Sequence, residues 1–200
     1  MEENKYRFAG WLAVVQAILF PVGIVASIVE AVVAGEFFNV RKPFIGPSDM
    51  LMIVFTAIAV YTLLMFRRLL HERYDYHDLD LLIIISIWWV IVFQVLGLGL
   101  NLLMMIFWPI NTMILALTFL VFFTAAMVTI GIVDIMIAVK LLRIKETLSE
   151  YIRVFAYITM AAGICEVSVI FAPFSLILIP VSAGVLALVF FRDRQEVEFV

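Results

Sequence analysis

Inside its long apolar runs this chain has no lysine, no arginine and no histidine, and that shortage excludes whole classes of chemistry. A serine nucleophile within a membrane wants a histidine or lysine base beside it, and haem held by paired imidazoles wants histidines on facing helices. The zinc-protease pattern HExxH does not occur. The one cysteine, Cys165, has no second thiol on the chain, which excludes an internal disulfide and paired-thiol redox chemistry. These absences predict a protein that is not an enzyme and needs no cofactor. Positive charge is scarce too: a net charge of -3, with no basic patch beyond the bands flanking the apolar runs, argues against nucleic acid as a partner.

What is present is apolar surface. Hydrophobic residues make up 66% of the chain and charged ones 14%, against about half and about a quarter in a soluble domain. The charges fall in bands separated by uncharged runs long enough, at ~18 residues or more, to cross a bilayer. The opening MEENKYRFAGWLAVV lacks a small-x-small cleavage site after a short apolar core, so it reads as a retained first span.

Six helical spans are predicted, at about 8–34, 50–66, 81–107, 110–139, 154–171 and 175–191. Local breaks separate them: Ser48-Asp49 as an N-cap pair, Trp108-Pro109, and Ala172-Pro173. With the N-terminus inside, eleven of the thirteen basic residues fall on the cytoplasmic side, and only Arg41 and Lys42 lie outside. An odd number of spans breaks that tally. The expected fold is therefore all-α: one membrane domain, a six-transmembrane-helix bundle in the plasma (inner) membrane with short loops and both termini cytoplasmic. The one longer outer segment, residues 35–49, carries Phe37, Phe38, Phe44 and Ile45 and suits the membrane interface.

Both histidines lie in HERYDYHDLD (71–80), between the second and third spans. Metal ligands on a helix favour i, i+3 or i+4 spacing. His71 and His77 are six apart, so a metal site is disfavoured and the stretch reads as the wet end of a helical hairpin. Arg67 and Arg68 at one helix C-terminus and Asp78 and Asp80 at the next N-terminus match the macrodipole at each end.

Acids within spans are functional candidates, because lipid charges heavily for them. Glu30 lies ~34 Å of helix from Arg7, near the outer interface. Glu166, ~20 Å along its helix from Arg153, belongs in the outer half of the core with no base to pair. Asp134, ~9 Å from Lys140, belongs further in. Gln94 and Asn101 on the third span are expected near Glu166 in depth, with Gln16 and Thr129 as a deeper polar layer. Trp88 and Trp89 have three open placements: inside the bundle, towards lipid, or against a partner helix.

Two functional classes follow. One is a transport-type bundle binding a small cationic solute or a proton near Glu166, with Gln94, Asp134, Glu30 and Asn101 as further candidates. The other is a non-catalytic subunit or assembly factor whose acid faces a base on a membrane partner. Besides the bilayer, the expected partners are another membrane protein or further copies of the chain.

Overall fold

A computed structural model describes residues 3–34, 46–106, 112–144 and 149–192. It contains six helices: α1 (Glu3–Ala34), α2 (Pro47–Tyr74), α3 (Asp80–Ile106), α4 (Thr112–Leu142), α5 (Glu150–Ser168) and α6 (Ala172–Arg192). All six are long and apolar enough to cross a membrane, and this is a multi-pass membrane protein. The interfacial segment at 35–45 and the break at Trp108-Pro109 lie outside the described residues.

Helix ends obey local chemistry. α2 starts at Pro47, where a missing N–H costs nothing, and the Asp49 carboxylate accepts the N–H of Gly46 at 2.9 Å. Ser48 and Asp49 thus sit inside the first turn rather than ahead of it. α2 stops at Tyr74 because Asp75 turns left-handed (φ 44°) and its N–H returns to the Leu70 carbonyl, a conformation that aspartate tolerates. α5 ends three residues earlier than the sequence predicts. Pro173 does not separate the last two helices; it lies in the first turn of α6, where proline is accommodated. Pro21 and Pro180 both remain within continuous helices.

Each helix packs on its neighbours in the chain and α6 closes on α1, making a ring in chain order. The α4–α5, α5–α6, α6–α1 and α1–α2 seams are extensive, whereas α3 is held lightly on both sides. The start of α1 and the end of α6 meet at one rim, where Tyr6 of α1 stacks on Phe190 of α6. This rim also carries Arg67, Arg68, Arg73 and Lys140 and is called the basic rim below.

The largest buried side chains, including Phe66, Leu69, Leu70, Leu79, Ile83, Leu141, Ile152 and Val189, lie in the turns next to that rim. Phe66 and Phe155 meet edge to face across the ring with centroids 5.2 Å apart. An apolar plug therefore fills the basic end. Further from it, the buried positions become small or polar: Thr62, Thr159, Ala162, Gly163, Glu166 and Ser175. Large apolar side chains such as Ile18, Trp88, Val121, Ile170 and Ile177 point out of the bundle, as suits hydrocarbon rather than water.

Candidate functional site

The buried stripe of α5 runs Ile152, Phe155, Ala156, Thr159, Ala162, Gly163, Glu166. Steps of three and four place these residues on one helix face, so Glu166 ends a face otherwise built from apolar and small side chains. Opposite it, α4 brings Gly131 so close that the two backbones nearly touch. A methyl group on Gly131 meets the Gly163 carbonyl at 2.8 Å and Cβ of Glu166 at 2.9 Å, and one on Gly163 meets the Gly131 carbonyl at 2.6 Å. Only glycine fits at this crossing.

Glu166 is 5% exposed. Its Oε2 is buried and has no hydrogen-bond partner among the described residues. Asp134, one turn from Gly131 along α4, lies on the stretch that forms this crossing, where the next residue, Ile135, packs against Gly163. The sequence places the two acids at different depths, but the α4–α5 crossing makes them neighbours. Distances counted along separate helices miss this because they contain no information on how the helices slide past one another. The i, i+3, i+4 run from Ile152 to Glu166 is the signal that locates Glu166 on the packed face. Nothing comparable in the sequence names Gly131 as its opposite.

The other intramembrane candidates have partners elsewhere. Glu30 caps a helix other than its own: its Oε1 accepts the Ser48 N–H at 2.8 Å and its Oε2 the Ser48 hydroxyl at 2.6 Å. Gly46 lies close beside it, so that a Cβ there, 2.9 Å from the Glu30 carboxyl carbon, would push the carboxylate aside. Gln94 belongs to the α2–α3 seam, where its Oε1 accepts from the Thr56 hydroxyl at 3.4 Å. Gln16 accepts from Thr62 at 2.9 Å across α1–α2, and Thr129 bonds back to the Ala125 carbonyl of its own helix at 2.8 Å. The Asn101 side chain lies outside the described residues. The two tryptophans diverge: Trp88 is exposed on the outer face, while the indole N–H of Trp89 donates to the Ala126 carbonyl of α4 at 3.2 Å.

At the basic rim the charges find one another. Arg67 grips Asp80 with two parallel bonds, Nε to Oδ1 at 3.0 Å and Nη2 to Oδ2 at 2.9 Å, the fork geometry that makes arginine–carboxylate pairs strong. Asp80 Oδ1 also meets His71 Nε2 at 2.5 Å. His77 bonds to Asp75 at 3.3 Å, and its ring lies 4.2 Å from that of His71. Tyr6 donates to Glu72, which also accepts from Arg68, and Arg73 lies over the Tyr6 ring at 5.7 Å. Lys140 donates to the Asp78 carbonyl at 2.7 Å, and Tyr76 donates to the Lys140 carbonyl at 3.4 Å. Burial, and secondarily the charge of Asp78, raises the pKa of the Tyr76 phenol, which keeps it a donor.

HERYDYHDLD is thus the hairpin between α2 and α3. The six-residue interval between the histidines, however, does not run along one helix, because α2 ends between them. One donor atom each from His71, His77 and Asp80 lie within 4.8 Å of one another. No catalytic constellation is present among the described residues. No family model, no curated protein and no solved structure matches the chain.

Proposed function

We propose that the protein is a small carrier-type bundle that takes up a proton or a small cation at Glu166 and Asp134. One observation carries this reading: a buried carboxylate oxygen of Glu166 with no donor among the described residues, at a helix crossing that also carries Asp134. An isolated carboxylate in a low-dielectric interior costs many kcal/mol, so such a group is neutralised by a proton or matched by a cation. No Lys, Arg or His occurs within the uncharged apolar runs of the spans to do this. Two acids and no base also set the sign of the ligand, since anions are repelled.

The positive-inside pattern supports a cytoplasmic basic rim. On that reading the Phe66–Phe155 plug closes the cytoplasmic end, and the ligand reaches Glu166 from the opposite side. The alternative, a subunit whose acid meets a partner's base, is less well supported. Glu166 is turned into the α4–α5 seam, and of the aromatic candidates for a partner surface only Trp88 points outwards.

The test is reconstitution in liposomes with an internal pH dye, under imposed gradients of protons, Na⁺ or K⁺, for wild type and Glu166→Gln. Dissipation of one gradient by wild type, reduced at least ~10-fold in the variant, supports the carrier. If wild type is inert, and native purification brings a stoichiometric partner that Glu166→Gln loses, the subunit reading replaces it.

A further inference from the structure

The second polar centre lies at the basic rim and owes nothing to Glu166. We propose that His71, His77 and Asp80 form a binding site for a first-row divalent transition metal, with Zn²⁺ the best fit. Two imidazole nitrogens and a carboxylate oxygen are the donor set that zinc accepts in three-ligand sites, leaving one position for water. The harder Mg²⁺ and Ca²⁺ require more oxygen ligands than the cluster supplies.

The chain brings the three residues together through one backbone feature. His71 stands in the last turn of α2. The left-handed Asp75 then ends the helix and folds the chain back, so that His77 lies against His71 with ring centroids 4.2 Å apart. Asp80 begins α3 and reaches His71 at 2.5 Å. All three donor atoms fall within 4.8 Å of one another. Ligands about 2 Å from a shared ion lie ~3–4 Å apart, so the His71–Asp80 contact opens by roughly 0.5–1.5 Å to admit one.

Two further contacts act on the site. Arg67 holds Asp80 through Nη2 on Oδ2 as well as Nε on Oδ1, so Oδ1 can turn to the ion while Oδ2 stays anchored. Asp75 bonds to one ring nitrogen of His77 at 3.3 Å, the kind of carboxylate partner that fixes which imidazole nitrogen faces a metal. His77 is exposed and His71 and Asp80 are half-buried, so the ion has access from the water phase. A bound ion ties the end of α2 to the start of α3, across one of the two lightly packed seams. Metal occupancy would then govern how firmly α3 is held.

The experiment uses the full-length chain in detergent, purified on a tag without histidine and stripped with chelator. Co²⁺ is titrated while its visible d–d absorption is followed, then displaced with Zn²⁺. The expected result is one Co²⁺ per chain, displaced stoichiometrically by Zn²⁺, and weakened by roughly 100-fold or more in His71→Gln or His77→Gln. Because Asp80→Asn disturbs Arg67 as well, Asp75→Asn serves as the milder variant, expected to weaken binding about 10-fold through the orientation of His77. Zn²⁺ should also raise the melting temperature of wild type but not of His77→Gln. The site is refuted by no saturable Co²⁺ signal up to ~1 mM. It is equally refuted by one-to-one binding that survives both histidine substitutions together.

Discussion

The basic rim and the α4–α5 seam both contain acids, yet they treat them in opposite ways. At the rim Asp80 receives a two-pronged arginine and a histidine, and Glu72 receives a tyrosine and an arginine. In the seam Glu166 has a buried oxygen that receives no hydrogen bond from the described residues. A satisfied acid at a wet edge holds helices in register. An unsatisfied one in a buried seam lowers stability unless a proton or a cation meets it. Glu30 stands between them: it is within a span by sequence, but the opening turn of α2 satisfies it.

This contrast can be broken by mutation. The largest effect is expected at the crossing itself. Gly131→Val forces side-chain atoms into the Gly163 carbonyl and Glu166, and overpacking of this kind costs about 3 kcal/mol. Thermal melts in detergent should show a large loss, and a near-neutral result would mean that the two backbones do not approach so closely.

Glu166→Gln keeps the shape and removes the charge. Ligand or proton uptake should fall at least ~10-fold while the melting temperature holds or rises, since no ion pair is lost. A clear drop in melting temperature would place Glu166 with the structural acids of the rim and erase the distinction.

Asp80→Ala is the opposite case: about 1 kcal/mol of stability lost, the modest value due to a half-exposed pair, with Glu166-dependent uptake unchanged. Loss of uptake without loss of stability would link the two centres.

Ser48→Ala removes the hydroxyl donor to Glu30 and should cost roughly 0.5–1 kcal/mol in denaturant or thermal titrations. The smallest change is expected at Val169, a β-branched residue held at φ 57° next to the Glu166 carbonyl. Val169→Gly should stabilise the turn by up to ~1 kcal/mol, because glycine reaches this region without steric conflict. Destabilisation there would show that Val169 packing outweighs its backbone strain.

The six spans were legible because each carries its signal locally: an apolar run of sufficient length, bounded by charges. The errors at their ends were local too. Pro173 looks like a break in sequence, but a first helical turn accepts it, so the α5–α6 boundary fell three residues early. The candidate site was legible one residue at a time. Glu166 was identified as an acid without a base, but its neighbour Asp134 was placed at another depth. The six-residue histidine interval is no measure of their separation, because α2 stops at Tyr74 between them.

Composition, charge banding and span length determined by themselves that this is a six-helix membrane protein, because transfer into hydrocarbon depends on each segment's own side chains. Which acids end up satisfied was decided only by the tertiary structure. Hydrogen bonds and electrostatic contacts depend on angstrom distances between helices, and those distances are set where Gly131 meets Gly163 and where Asp75 turns the chain back on itself.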